Sequence, residues 1–257
     1  MGGAGHAHGH PVYQERLTPI HAIPAHVKLV AVVSFVFVVV ATPGTWYPAF
    51  AAYLVILGVV ASIARLSIGF VLPRLVVEIP FVIFALLLPF VAEGRQIEIL
   101  GIWVSEPGLL AGMALLMKAT LSVIASIVFA ATTSPREMVR GLERLRLPQI
   151  LVQILTFMLR YLDVVSGDVR RMRIARESRA FTARHLGHLR VLGHAAGSLF
   201  IRSYERGERV HLAMLSRGYT GRLPVLEQQR VAASMWLRAL AVPAAALAVL
   251  LTGWALS

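Results

Sequence analysis

Apolar residues arrive in this chain as five separate blocks, and a chain so patterned has few ways to fold. The blocks run from about Val27 to Ala41, Trp46 to Leu66, Leu75 to Ala92, Leu109 to Thr132 and Val231 to Leu256. A helix needs roughly 20 residues to cross a hydrocarbon core about 30 Å thick. The first and third blocks fall short of that, and the third is interrupted by Pro80 and Pro89, so both are expected to be tilted, kinked or extended at their ends. Of the 257 residues, 57% are hydrophobic and only 15% charged, where a soluble domain carries about a quarter charged. The expected fold class is all-α: a polytopic membrane protein with about five transmembrane helices. Cysteine is absent, which removes disulfides and thiolate metal sites. No cleavable signal peptide is read, because a Gly- and His-rich stretch precedes the first block.

The net charge of +12 would suit a nucleic-acid partner, but its distribution suits a membrane instead. Arg16 and Lys28 precede the first block, Arg65 and Arg74 flank the second link, and Glu93, Glu98 and Glu106 face Arg95 alone in the third. The stretch from Ser134 to Arg230 holds 18 of the 25 Lys and Arg residues and 8 of the 13 Asp and Glu residues. Alternate links are basic, which predicts a cytoplasmic N-terminus, a cytoplasmic long segment and an external C-terminus. The expected organisation is a His/Gly-rich tail over 1–26, four spans over 27–133, the cytoplasmic segment over 134–230 and a last span over 231–257. The location is the cell (inner) membrane, multi-pass, with no nucleic acid as partner.

Within the basic segment, Ser134 is an expected N-cap, followed by Pro135 at the first helical position. A short helix to Leu145 follows, then a long one from Pro148 with Ile150, Leu151, Ile154, Leu155, Met158, Leu159, Leu162 and Val165 on one face. A third helix is expected from about Leu189 to Leu215. Gly193 and Gly197, four apart on it, are expected to admit another backbone closely.

The segment also contains an internal echo. Ala175 to Thr182 ends in Ser178-Arg179-Ala180-Phe181-Thr182, and 38 residues later Ala213 to Thr220 ends in Ser216-Arg217-Gly218-Tyr219-Thr220. Arg171 and Arg209, and Arg184 and Arg222, keep the same interval. Arginines near a helix C-terminus complement the helix dipole by about 0.3–1 kcal/mol each, and basic juxtamembrane residues attract anionic lipid. Neither effect asks for the same five-residue pattern twice. Two equal plugs at two helix ends suggest two equal receptors, and arginine suits the task because its planar fork binds carboxylates bidentately. Gly218 fits a left-handed helix end better than Ala180 does.

These residues resemble the transmembrane (T) component of energy-coupling factor (ECF) transporters, ABC-type importers of vitamins and metal ions. His21-Ala22-Ile23-Pro24-Ala25-His26-Val27-Lys28-Leu29 is similar to the family's approach to its first span, and Thr132-Thr133-Ser134-Pro135 to the end of its fourth. Arg160-Tyr161 matches a pair on its first long coupling helix. The echoes fall where the family has paired Ala-Arg-Gly motifs, here Ser178, Arg179, Ala180 and Ser216, Arg217, Gly218. The stretch from Leu199 to Arg206, with Ala213-Met214, looks most like the cobalt/nickel (CbiQ-type) branch. The resemblance implies two long coupling helices that cross beneath the membrane, each motif arginine docking on one of two ATP-binding cassette ATPase subunits. It further implies a membrane substrate-binding (S) subunit and a small accessory membrane subunit. ATP and Mg²⁺ belong to the partner subunits, no cofactor to this chain, and Co²⁺ or Ni²⁺ is the expected cargo, with a vitamin as the alternative.

Two further features stand apart from the echo. His6, His8 and His10 alternate near the N-terminus, and neutral imidazoles bind Co²⁺, Ni²⁺ or Zn²⁺; a tail without a role is the competing reading. Lys118 lies inside the fourth span, where an ionisable residue is a functional hypothesis by default. It sits too deep for an easy pair with Glu78 and is expected to have a structural role. Gly108 and Gly112 beside it suggest close helix contact. Phosphate-loop, zinc-protease and serine-elbow signatures are missing, so the chain is read as a non-catalytic subunit. The rival classes are a stand-alone membrane enzyme and a basic membrane anchor that binds anionic lipid.

Overall fold

The computed structural model describes residues 13–99, 102–179, 189–221 and 231–256. The chain divides into two compact units, one of residues 1–141 and 230–257, the other of residues 142–229.

In the first unit, α1 (Ala25–Ala41) and α2 (Tyr47–Ile63) are apolar helices of 17 residues each. The third apolar block starts earlier than the sequence suggested. A short helix α3 (Ile68–Val71), a 3-10 stretch (Leu72–Glu78) and α4 (Ile79–Val91) form one 24-residue apolar run. Proline explains the changes of helix type: Pro73 and Pro80 stand in the first turns of the 3-10 stretch and of α4, and Pro89 lies inside α4. The run is followed by an antiparallel hairpin, β1 (Gln96–Ile99) and β2 (Ile102–Ser105), pairing Ile97 with Val104 and Glu98 with Trp103. The sequence reading had treated this stretch only as an acidic link. Then come α5 (Glu106–Thr132), α6 (Pro135–Arg144) and, after the second unit, α9 (Ala233–Leu256). The second unit holds α7 (Gln149–Glu177) and α8 (Leu189–Leu215).

Among the described residues, four stretches are long and apolar enough to cross a membrane: 68–91, 106–132, 149–177 and 233–255. The chain is an all-α polytopic membrane protein, with α1 and α2 as shorter apolar helices. α7 meets the length and composition requirement through its first half, since its second half carries Asp163, Asp168, Arg170, Arg171, Arg173 and Arg176.

Aromatic packing fixes the centre of the first unit. Tyr53 is fully buried with Phe35 and Phe50 edge-on to it, at centroid distances of 6.1 and 6.2 Å. Its hydroxyl lies 3.0 Å from Thr42 Oγ1. Because Thr42 donates its own proton to Val38 O at 2.8 Å, Tyr53 is the donor. Gly108 and Gly112 do admit close contact, as expected. A Cβ on either would meet the α4 backbone, Leu88 O at 2.6 Å or Ala85 O at 2.7 Å. By contrast, nothing described lies within 4 Å of a Cβ at Gly193 or Gly197, so their spacing marks no close helix contact among the described residues.

The start of α1 is tied to the end of α5. Lys28 Nζ, only 6% exposed, donates to Thr132 O at 2.6 Å, and Gln14 N donates to Ala131 O at 3.0 Å. These bonds satisfy carbonyls of the last α5 turn, which have no partner within the helix. α6 begins directly after, with a reciprocal capping box. Ser134 N donates to Glu137 Oε2 at 3.0 Å and Glu137 N to Ser134 Oγ at 3.3 Å. The predicted N-cap and first-position proline are therefore both in place. Farther along α6, Gly141 lies against the first turn of α1, where a Cβ would stand 2.8 Å from His26 N.

Before α1, His21 Nε2 donates to Gln14 O at 3.0 Å and Nδ1 lies 2.6 Å from Thr18 Oγ1. Burial holds its imidazole below the ordinary histidine range. The Gln14 carbonyl opposes that shift, and the Lys28 and Arg16 cations reinforce it. A base whose folded value is depressed contributes its full stability above the unfolded value, about pH 6.5, and loses it as pH falls toward the folded value. Thermal unfolding of the detergent-solubilised chain should show a loss of stability below about pH 6.5 that His21→Gln reduces; an identical pH profile in the variant would contradict this. Gly141→Ala should cost about 1–3 kcal/mol, as for other overpacked contacts against backbone. Gly58→Ala, with nothing within 4 Å of its added Cβ, should cost nothing in the same assay.

Candidate functional site

The two echoed helix ends are built alike. At the end of α7, Ser178 N donates to Ile174 O at 2.9 Å, Ser178 Oγ to Ala175 O at 3.1 Å and Arg179 N to Arg176 O at 3.1 Å. At the end of α8, Ser216 N donates to Leu212 O at 3.0 Å, Ser216 Oγ to Ala213 O at 3.0 Å and Arg217 N to Met214 O at 3.0 Å. Each bond of the first set has its counterpart 38 residues on. The serine hydroxyl folds back on its own helix, and the arginine follows as the second residue past the helix end. Arg179 and Arg217 are both exposed, and neither has an acidic partner among the described residues.

The second end then closes in a Schellman motif. Gly218 takes φ +82, its N donates to Leu215 O at 3.0 Å, and Tyr219 N donates to Met214 O at 3.0 Å. A Cβ at Gly218 would meet no described residue within 4 Å, but the residue would hold a backbone conformation that costs L-residues about 1–2 kcal/mol. Ala180, the counterpart in the first copy, lies outside the described residues, as do His6, His8 and His10. Among the described residues no cluster of three His, Asp or Glu side chains forms a metal-ligand set.

Gln153 and Asp168, which the sequence reading did not single out, hold this unit together. Tyr219 OH donates to Gln153 Oε1 at 2.7 Å, and Gln153 Nε2 donates to Gly221 O at 2.8 Å, so one α7 side chain clasps the chain after Arg217 from both sides. Farther along α7, the Asp168 carboxylate bridges Arg171 on its own helix and Arg206 on α8, the latter at 3.1 Å. The two ties are met in reverse order along α8, so α7 and α8 run antiparallel. Arg217 therefore stands beside the start of α7 and Arg179 at its far end. With a rise of 1.5 Å per residue, the two arginines are roughly 35 Å apart. Asp168 and Arg206 are themselves 38 residues apart. Residues related by the echo touch one another, as they do at a two-fold axis. That interval was the signal by which both could have been found.

Lys118 has a defined contact: its Nζ donates to Val40 O at 2.8 Å, in the last turn of α1. This is the favourable place for a cation, where helix carbonyls lack partners and the dipole is negative. Glu78 is buried and bonded to Thr120 Oγ1 instead, so the two ionisable groups are separate, as expected.

Gln153→Leu should remove two hydrogen bonds and lower the local stability around Tyr219–Gly221 by about 1–3 kcal/mol. Hydrogen exchange of those amides should accelerate, whereas Gln153→Glu, which keeps an acceptor for Tyr219, should lose less. Unchanged exchange in Gln153→Leu would show that the clasp does not hold this turn.

Comparison with known proteins gives a consistent picture. A family model described as CbiQ, cobalt transport protein, matches residues 17–229. An uncharacterised protein of Methanocaldococcus jannaschii, MJ1089, is 34% identical over 149 residues, 57% of this chain and 55% of that protein. The cobalt transport protein CbiQ of Rhodobacter capsulatus is 23% identical over 184 residues, 70% of this chain and 75% of its own length. A fused cobalt transport protein CbiMQ of Methanocorpusculum labreanum is 25% identical over 241 residues, 86% of this chain but 39% of the fusion. The chain thus spans only part of several relatives. With its apolar helices and a match that runs from before α1 to the link before α9, the chain belongs to the CbiQ cobalt transport protein family.

Proposed function

We propose that this chain is the non-catalytic coupling subunit of an ECF-type importer, passing the motion of two ATPase subunits to a substrate-binding membrane partner. The observation that carries it is the pair of matched helix ends. Each presents one exposed arginine without an acidic partner among the described residues, at opposite ends of an antiparallel pair. A lipid anchor needs positive charge but not two copies of one hydrogen-bonded terminus. Two equivalent ends, related as if by a two-fold axis, suit two copies of one receptor. Each guanidinium would enter a carboxylate-bearing groove on one ATPase.

The clasp and the Asp168 bridge then matter mechanically. A lever transmits displacement only if its two arms keep their relation, and charge-assisted and paired side-chain bonds supply that rigidity. The exposed apolar stripe of Ile150, Ile154 and Met158 on α7, with Phe200, Ile201 and Tyr204 on α8, offers the surface on which the membrane partner would ride. Co²⁺ or Ni²⁺ is the cargo we assign, supported by the family description and by the names of the relatives. In this reading the N-terminus, α7 and α8 are cytoplasmic, and ATP and Mg²⁺ are bound by the partners.

Arg179→Glu and Arg217→Glu should each reduce co-purification of the ATPase subunits and uptake of ⁵⁷Co²⁺ or ⁶³Ni²⁺, and the double variant should abolish both. A double variant that retains its ATPases and imports at the wild-type rate would overturn the coupling role.

A further inference from the structure

The first unit contains a cavity of about 280 Å³ lined by residues of α1, α2, α5 and α9 and by Pro19, Ile20 and Ile23. Its walls are hydrocarbon, with Val32, Phe35, Val60, Ile63, Val128 and Val242 among them. Three polar residues reach it: Lys28, Thr132 and Arg238. Thr132 has no side-chain donor to spare, since its hydroxyl donates to Val128 O at 2.9 Å. Lys28 uses one of its three N–H donors in its bond to Thr132 O. Arg238 is exposed and has no acidic partner among the described residues. Among the described residues no carboxylate lines the cavity. Glu137 lies within electrostatic range of Lys28 but accepts from Ser134 N at the start of α6.

We propose that this cavity binds one acyl chain of an anionic glycerophospholipid, whose headgroup phosphate lies between Lys28 and Arg238. The physical case is one of matching ends. Inside a bilayer an acyl chain gains little by leaving other lipid, so the hydrocarbon walls set the fit and the headgroup sets the preference. The anionic head meets two cations with no carboxylate between them, and basic pockets between transmembrane helices are where such headgroups bind. Other occupants fit poorly. A helix, about 10 Å across, is too wide for this volume. A metal cation would be repelled by Lys28 and Arg238, and water finds few polar partners here. The occupant would join four helices at the place where Lys28 already ties α1 to α5, so the site is a structural lipid site and does not depend on the coupling role.

The test is native mass spectrometry of the full-length chain, titrated with phosphatidylglycerol or phosphatidylcholine at equal concentration. Phosphatidylglycerol should be retained at least about fivefold better. Arg238→Gln should bring its retention down to that of phosphatidylcholine, while Arg238→Lys keeps it. Arg202→Gln, which removes one exposed charge on α8, should have no effect, so general attraction to a basic protein is separated from the cavity. Val32→Trp, filling the cavity, should abolish the retention of either lipid, with folding checked by thermal unfolding. Equal retention of the two lipids by the wild type, or wild-type retention by Arg238→Gln or by folded Val32→Trp, would overturn the proposal.

Discussion

The bond from Lys28 to the Thr132 carbonyl is the contact on which the first unit depends. It spans 104 residues of sequence, buries an ammonium group, and closes the end of α5 on the start of α1. An unpaired ammonium at 6% exposure would be costly, and so would the unpaired last-turn carbonyl it satisfies. Each makes the other tolerable. Around this bond stand the other fixtures of the same end: Gln14 on Ala131, Gly141 against His26, and His26 edge-on to Trp236 of α9 at 5.8 Å. α6 leaves this junction through a capping box, so its direction is set where three other helices meet.

The second unit solves a different problem with the same economy of contacts. Two amphipathic helices with most of their apolar residues exposed cannot be held by burial, and they are held by a few directed polar bonds instead. Asp168 bridges two arginines, and Gln153 uses both halves of its amide. Directed bonds fix register and angle, which a sliding apolar interface would not. Asp168 pairs with Arg206, the residue 38 positions on, and the two exposed arginines keep the same interval at the helix ends.

Much of this could be read from the residues. Apolar block length gave the apolar helices, Ser134-Pro135 gave the start of α6, and Leu215 was anticipated as the end of α8. The 38-residue echo appeared as a sequence repeat before it appeared as two identical sets of hydrogen bonds. The hairpin Gln96–Ser105 was missed because its charged residues drew attention to charge, while its alternation of Ile97, Ile99, Ile102 and Val104 was the stronger signal. The third apolar run starts before the expected Leu75 because Arg74, read as flanking a basic link, lies inside it. A 3-10 stretch can carry both Pro73 and Arg74, since proline is tolerated in its first turn and the Arg74 guanidinium lies 3.5 Å from the centroid of the Phe70 ring.

What the sequence by itself determined is whatever depends on local order: which segments are apolar enough to leave water, where helices start and stop, and which short pattern occurs twice. Tertiary structure alone decided which distant partners those residues meet. Lys28 could have stayed in water at the start of α1, and only folding brings it to the Thr132 carbonyl. Lys118 could have served a cavity or a carboxylate, and only packing gives it the end of α1. Gly193 and Gly197 have the same spacing as Gly108 and Gly112, yet one pair has no described residue within 4 Å of an added Cβ and the other meets the α4 backbone. Periodicity places a residue on a helix face; what stands opposite that face is set by chain segments far away in sequence.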